Sequence, residues 1–241
     1  MINLYLCVDN VESLSKKRFI NHYYKNRKPV LVQQGAHNWP AINKWSEDYF
    51  IEKIGKAQVA LNQFEYIKKS ISCVILPKME MQEAINTMRN NRDITKKYYI
   101  LRDSIVNHHP ELLHDIHQIS FLDSHVFCSK DLWFGDGGNI TPIHFDAADN
   151  CIVSIFGEKT FYLYPPQETH CLYPNNIITG GRFNFCQITS RFLFDRSKYP
   201  SAIKVKCYKV TIKPGDILYI PLGWWHEVHT HDQRAVTTTY F

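Results

Sequence analysis

Thr141-Pro142-Ile143-His144-Phe145-Asp146 is the stretch on which the reading of this chain turns. In an extended strand, residues two apart point to one face, so the His144 imidazole and the Asp146 carboxylate can be aimed at one point. A third donor must come from elsewhere. His226 stands 80 residues after Asp146, beyond Pro214-Gly215-Asp216 and Pro221-Leu222-Gly223-Trp224-Trp225, in a run that reads as a strand. An antiparallel barrel brings such distant strands together. Two imidazoles and one carboxylate occupy one face of an octahedron and leave three positions open, the arrangement that non-haem Fe(II) sites use. A lone His-x-Asp is common by chance, and a strand histidine is usually structural, so the weight falls on the whole pattern. His229 and His231 extend His226 into a cluster, but no HExxH is present, and both are expected at the rim or surface.

The sequence around that stretch reads as short strands separated by turns. Strands are expected at residues 132–134, 150–156, 159–164, 205–212, 217–220, 226–229 and 235–241, broken by Gly, Pro, Asn and Asp. Gly157-Glu158 reads as the two-residue turn of a type II′ hairpin. Before residue 120 the pattern is mixed. Ser13 or Ser15 can cap a helix reaching about Tyr24, and Ser46 one running to Ile54. Residues 79–89 carry Met81, Ala84, Ile85 and Met88 at helical spacing. Short strands are expected at 30–32, 59–64, 73–76 and 98–101, and a short helix at 110–117. The fold expected is mainly β with flanking helices, a jelly-roll barrel over 121–241 with residues 1–120 packed on its outside, as a single domain.

Bulk properties exclude several classes. Hydrophobic residues make up 44% of the 241 and charged residues 21%, which is no disordered chain. Fourteen Phe, fourteen Tyr and five Trp suit strands and a lined pocket. The formal net charge of +5 is compatible with an acidic partner without requiring one. Seven cysteines, an odd number with no CxxC spacing, argue against a disulfide framework or a structural zinc and for reduced thiols. No basic segment followed by a long apolar run opens the chain, and no apolar stretch is long enough to span a bilayer. The expected location is cytoplasmic, with no membrane partner.

The motifs WFGDGGNITPIHFDAADN (133–150), IFGEKTFYLYPPQE (155–168), CLYP (171–174), FDRSKYP (194–200) and PGDILYIPLGWWHEV (214–228) stand in order over residues 133–241. RKPVLVQQG (27–35), NWPAINKW (38–45) and KYYILRD (97–103) precede them. Together they resemble the JmjC-type cupin oxygenases, in particular their small hydroxylase branch. The resemblance implies a double-stranded β-helix that binds Fe(II) through His144, Asp146 and His226 and uses 2-oxoglutarate and O₂ as cosubstrates. It implies that Lys159, Thr141 and a tyrosine, Tyr99 with Tyr98 as the alternative, hold the distal carboxylate of 2-oxoglutarate. Asn150 maps beside its iron-bound end. Two departures stand out. Tyr240 falls where many relatives carry an Asn near the cosubstrate, and the extension that dimerises some relatives is missing, so a monomer is expected.

The residues support Lys159 independently. In the expected hairpin Phe156 faces Lys159, Ser154 faces Phe161 and Ile152 faces Leu163, which puts Lys159 on one face with Phe161, Leu163, Ile152 and Asn150. A lysine pointing into a barrel is costly unless an anion meets it. Arg182 and Arg191 are the next candidates for that anchor. Trp133, Phe145, Trp224 and Trp225 are expected to wall the site. The first expectation for substrate is a protein or peptide side chain to be hydroxylated, bound along the aromatic and polar strip of residues 172–202. A tRNA-modifying hydroxylase is the alternative, helped by Lys16, Lys17, Arg18, Lys25, Arg27 and Lys28, and a non-catalytic cupin is the third reading.

Overall fold

A computed structural model describes residues 5–67, 70–122, 130–176, 178, 182–231 and 234–240. The lead-in contributes β1 (Leu6–Cys7), β2 (Asp9–Val11), β3 (Val30–Val32), β4 (Gln58–Val59), β5 (Leu61–Ile67), β6 (Ser70–Ile75), β7 (Met79–Glu80) and β8 (Lys96–Asp103). The barrel follows with β9 (Lys130–Gly135), β10 (Ile140–His144), β11 (Asn150–Phe156), β12 (Lys159–Tyr164), β13 (Tyr208–Ile212), β14 (Ile217–Ile220), β15 (Trp225–Thr230) and β16 (Ala235–Tyr240). They form a five-stranded sheet in the order β1-β13-β12-β15-β10 and a nine-stranded sheet in the order β2-β3-β14-β11-β16-β9-β8-β5-β6, with β4 and β7 as a separate pair. Strands β9 to β16 divide evenly between the two larger sheets, which face each other as the double-stranded β-helix expected of the fold.

Alternation along each strand decides what lies between the sheets. Ile152, Phe161, Leu163, Ile212, Leu218 and Val228 point inward and pack together. Cys151, Val153 and Ile155 point the other way, into a cluster with Phe19, Trp39, Phe50, Ile85 and Met88 of the lead-in. The outer face of the five-stranded sheet, with Tyr162, Tyr164 and Trp225, is covered by Leu172, Ile188 and Tyr199. A strand buried on both faces reads as a mostly apolar run, as β11 does apart from Asn150 and Ser154.

Local rules place the lead-in helices. The Ser15 hydroxyl accepts from the Arg18 amide and starts a helix that continues as a π-helical segment, Phe19–Tyr24. Ser46 caps Glu47–Ile54 in the same way. Met81–Asn90 has the reciprocal Glu80/Glu83 capping box, and it buries Met81, Ala84, Ile85 and Met88, the spacing read from sequence. Asp115 ties two of these elements together. Its buried carboxylate accepts from Lys44 Nζ at 2.7 Å, Trp45 Nε1 at 3.1 Å and the Tyr49 hydroxyl. The helix Pro40–Lys44 was not expected from sequence, being too short to show a period. No helix among the described residues is long and apolar enough to cross a membrane.

The expected hairpin at Gly157-Glu158 does not form. Strand β11 pairs with β14 and β16, and β12 pairs with β13 and β15. Gly157-Glu158 is a corner that carries the chain from one sheet to the other. Lys159, Phe161, Leu163, Ile152 and Asn150 still meet, because the inner faces of opposed sheets look at each other across the barrel. Several bounds also move: the helix expected at 110–117 ends at Leu113, the strand expected at 59–64 splits into β4 and β5, and those expected at 73–76 and 98–101 become β6 and β8. Strand β13 starts at Tyr208 rather than 205, and β10 ends at His144, so Asp146 lies just beyond the strand rather than on it. The final residue of the last expected strand, Phe241, and Cys128 lie outside the described residues. The other cysteines are free thiols.

The corner depends on its glycine. Gly157 has φ +70°, and a Cβ there would lie 2.5 Å from the Arg234 carbonyl oxygen and 2.6 Å from Ala235 Cβ. Gly157→Ala is expected to cost about 2 kcal/mol, from the left-handed backbone plus the contact with rigid main chain. Thermal denaturation should show a fall of roughly 5 °C. An unchanged midpoint would show that the corner relaxes freely.

Candidate active site

The antiparallel pairing of β10 with β15 starts with Ile140 opposite His229 and Thr141 opposite Val228. Continued evenly, that register would put Ile143 opposite His226. An irregularity between Thr141 and His144 shifts it by one, so that His144 faces His226 instead. Pro142 sits inside the irregularity. Proline has no N–H to give to a ladder and is tolerated in strands at such places. The two imidazole rings come to 4.3 Å between centroids. Asp146 Oδ1 lies 4.0 Å from His144 Nε2, and Asp146 Oδ2 lies 3.7 Å from His226 Nε2. The three donor atoms fall within 4.8 Å of one another, close enough to share one ion.

The groups behind these three side chains fix their protonation. His144 Nδ1 is 2.7 Å from the Pro142 carbonyl oxygen, and His226 Nδ1 is 3.1 Å from that of Trp224. A carbonyl oxygen only accepts, so each Nδ1 carries the proton and each Nε2 offers a lone pair to the centre. Burial, then the neighbouring His144, holds the His226 imidazole below its ordinary value and keeps it neutral. Burial alone would raise the Asp146 carboxyl. His226, His144 and the Asn150 amide outweigh it and hold the group below its ordinary value. Asn150 Nδ2 donates to Asp146 Oδ2 at 3.0 Å, while its Oδ1 is buried without a partner. Phe185 stacks on the His144 ring at 5.4 Å with the planes 16° apart.

A narrow pocket of about 350 Å³ runs inward from this centre. It is lined by Thr141, Asn150, Ile152, Phe161 and Val228, and it reaches Lys159, Tyr99 and Thr237. Lys159 is 1% exposed. Its Nζ donates to the Tyr99 hydroxyl at 2.9 Å and to Thr237 Oγ1 at 3.1 Å, and no carboxylate pairs with it among the described residues. Burial pulls the ammonium down to about 7 and pushes the Tyr99 phenol up, so the phenol keeps its proton. A cation held by two neutral hydroxyls in a dry pocket is a receptor for an anion.

Each expected site residue can now be placed. His144, Asp146, His226, Thr141, Asn150, Lys159 and Tyr99 all line the one pocket. Tyr98, the alternative to Tyr99, packs instead against the helix-facing cluster. Tyr240 is not beside the cosubstrate position. It points outward, and its hydroxyl donates to the His117 carbonyl. Strand parity puts Thr237 and Thr239 on the pocket face of β16, and a period-two reading of that strand, with its register, could have found them. Of the four aromatic walls expected, Trp133 alone lines the pocket, its Nε1 donating to Thr239 Oγ1 at 2.9 Å. Phe145 and Trp225 pack edge to face in the outer cluster, and Trp224 Nε1 donates to the Arg27 carbonyl. Arg191 lies on the outer face over Tyr5, Tyr162 and Phe192, away from the pocket. His229 lies on that face too, with its Nε2 2.9 Å from Glu227 Oε1, and His231 meets Thr160, so neither joins the centre.

At the histidine end the pocket opens into a wider cleft. Its walls include Asn62, Cys73 and Arg102 from the lead-in and Asn175, Arg182, Asn184 and Phe185 from the segment between β12 and β13. The strip expected along residues 172–202 therefore splits. Tyr173, Phe194 and Tyr199 pack over the outer sheet face, while Arg182 and Phe185 face the cleft.

Two facing sheets, a His-Asp-His cluster at one mouth and a buried lysine at the far end define a JmjC-type cupin. A family profile described as the cupin-like domain matches residues 16–241, and the chain belongs to that family. Among curated relatives, human tRNA wybutosine-synthesizing protein 5 is 28% identical, over 95% of this chain and 75% of its own length. Jumonji C domain-containing protein 5 of Drosophila melanogaster is 25% identical, over 92% of this chain and 57% of its own length. Lysine-specific demethylase JMJ30 of Arabidopsis thaliana is 26% identical, over 92% and 52%. The chain thus spans three quarters of the human relative and little more than half of the other two.

The lysine makes a pH prediction. With its ammonium at about 7 in the free pocket, a bound dicarboxylate raises it by favouring the charged form. Below that point Lys159 is already charged and affinity for 2-oxoglutarate is expected to be flat. Above it binding takes up a proton, and affinity falls by up to about tenfold per pH unit. Isothermal titration in two buffers of different ionisation enthalpy reads that proton directly. Lys159→Met should weaken 2-oxoglutarate binding by roughly 2–5 kcal/mol and remove the proton uptake. Equal affinity at about pH 6 and about pH 9 would contradict this account.

Proposed function

We propose that this chain is an iron(II)- and 2-oxoglutarate-dependent oxygenase that hydroxylates its substrate. One observation carries the reading: a single pocket joins three metal-type donors at its mouth to a buried cation at its end that no carboxylate meets among the described residues. The donor set fits iron(II), since two neutral imidazoles and one carboxylate suit that ion and leave positions for a chelating cosubstrate and O₂. His144, Asp146 and His226 would hold it. Bound iron supplies the activation of O₂, coupled to oxidative decarboxylation of 2-oxoglutarate to succinate and CO₂.

The chain's own residues do the rest. Lys159, with the Tyr99, Thr141 and Thr237 hydroxyls around it, takes the distal carboxylate of 2-oxoglutarate and fixes the cosubstrate along the pocket axis. Asn150 holds Asp146 through its Nδ2 and leaves its buried Oδ1 as an acceptor for a donor on the incoming ligand. Ile152, Phe161 and Val228 line the pocket with apolar surface and keep water from the reacting end. The substrate arrives through the outer cleft, which shares His144 and Asp146 with the inner pocket.

Two substrate classes accord with the relatives' names, an RNA and a polypeptide. The cleft favours the anionic one. Arg182 and Arg102, the latter paired through Nε with Asp131, both line it, and the one carboxylate among its lining residues is Asp146, which a bound metal would neutralise. A polypeptide is the second reading. It is favoured by β6, an edge strand beside the cleft whose Val74 and Ile75 are exposed and which offers backbone pairing. Action as a monomer in the cytoplasm completes the proposal.

Wild-type protein supplied with Fe(II), 2-oxoglutarate and O₂ is expected to release succinate, and Asp146→Ala to release none while keeping its circular dichroism spectrum. Mass spectrometry of a tRNA pool and of a peptide library after reaction should show the gain of one oxygen atom in one of them. Succinate release by Asp146→Ala at the wild-type rate would falsify the metal assignment.

A further inference from the structure

We propose that Arg102 and Arg182 form a two-point clasp that holds backbone phosphates of a single-stranded RNA segment across the mouth of the active site. The proposal rests on the oxygenase reading above and names the substrate class of that same site. The two arginines come from unrelated parts of the chain, one on β8 and one in the segment between β12 and β13, and both line the cleft that shares His144 and Asp146 with the pocket.

Each is placed by a local device that a merely solvated charge would not need. Arg102 has φ +47°, in the left-handed region that costs an L residue roughly 1–2 kcal/mol. It stands where the pairing of β8 with β9 shifts register, between Ile100 and Asp103. Such a bulge re-aims a side chain out of the pleat. The guanidinium is then steadied by Asp131, which accepts from its Nε at 3.0 Å, while the arginine side chain stays 59% exposed. Arg182 is exposed, but its backbone is not loose. Its carbonyl accepts from the Phe185 amide at 3.0 Å, and Phe185 bridges to His144 in the backbone and stacks on its ring. One arginine is therefore tied to the β8–β9 wall and the other to a metal ligand.

A phosphodiester suits this pair better than a carboxylate side chain does. Guanidinium forks match phosphate oxygens in two-point fashion, and two arginines on separate walls fit a ligand with charges repeated along its length. Asn175 and Asn184, the latter with its Nδ2 donating to the Phe145 carbonyl, also line the cleft and offer amide groups to unpaired base edges. Phe183, 54% exposed, next to Arg182 and packed on Phe145, offers a ring beside the cleft on which a base can stack.

The test is fluorescence anisotropy of labelled unfractionated tRNA with the whole chain across a salt series, using wild type, Arg102→Gln, Arg182→Gln and Arg182→Glu. Each contact between a cation and a single-strand phosphate contributes roughly 0.7 to the slope of log affinity against log salt. Either glutamine variant should lower the slope by about that amount and weaken binding several-fold, and Arg182→Glu should weaken it further. Arg182 is exposed, so its two variants keep the test valid if Arg102→Gln unfolds at the bulge. Unchanged slopes in both Arg182 variants overturn the clasp. So does an equal loss from Lys25→Gln, which would move RNA binding to the basic helix near the N-terminus. Equal binding of a polyglutamate peptide with the same slope would replace RNA by an acidic polypeptide and overturn it too. Succinate release by wild type is read separately, so failure of the oxygenase reading and failure of the clasp are distinguishable.

Discussion

An ammonium group buried at the far end of the barrel sets the terms for the rest of the molecule. Lys159 Nζ has the Tyr99 hydroxyl and Thr237 Oγ1 as its polar company. Removing a lysine from water costs several kcal/mol unless its charge is answered or lost. The fold answers only in part, so the group titrates near neutrality. Tyr99 comes from the lead-in and Thr237 from the last strand of the barrel, so the seat of this one charge is assembled from three distant pieces of chain. Barrel and lead-in are joined by the continuous ladder from β16 through β9 to β8, and that ladder carries the tyrosine to the lysine.

At the other end the constraint is steric and comes from the backbone. A regular ladder between β10 and β15 would have placed an isoleucine opposite His226. The irregularity at Pro142 places His144 there instead. The carbonyls of Pro142 and Trp224 then orient both rings, so the same residue that breaks the ladder also fixes a tautomer. Asp146 lies free of the strand and is steered by Asn150 from the start of β11. The departure between β10 and β15 sits where the chemistry is, a second between β11 and β16 sits beside the Gly157 corner, and β12 runs in unbroken register against both its neighbours.

Both sheets are covered on their outer faces, by the lead-in helices on one side and by the segment following β12 on the other. The second cover has a further effect. It brings Phe185 onto His144 and Arg182 to the cleft, so the cover of the smaller sheet is also one wall of the entrance. The family's members, as the names of the relatives show, work on very different substrates. A barrel with a fixed inner pocket and a variable outer wall allows that.

The sequence by itself pointed to the strand-rich barrel, the places of most of its strands, a helix cap at Ser13 or Ser15 and another at Ser46, and seven of the residues that line the inner pocket. Alternation, capping chemistry and the motif around His144 are local signals, and they survive folding unchanged. Partnership between strands was not legible. Residues 150–156 and 159–164 look like a hairpin because a two-residue glycine turn joins them, yet the turn is a corner between sheets, and no local rule distinguishes the two. Thr237 and Thr239 were missed, and Tyr240 was placed wrongly, for the same reason: parity says which residues share a face, but only the register against β9 and β11 says which face looks inward. The aromatic walls went astray likewise, since Trp133 faces the pocket while Trp225 faces away from it. Tertiary structure alone decided the irregularity that aligns His144 with His226, and with it the placing of Arg102 and Arg182. Such features arise where two strands must reconcile registers set by the rest of the barrel, a condition that no single segment of sequence contains.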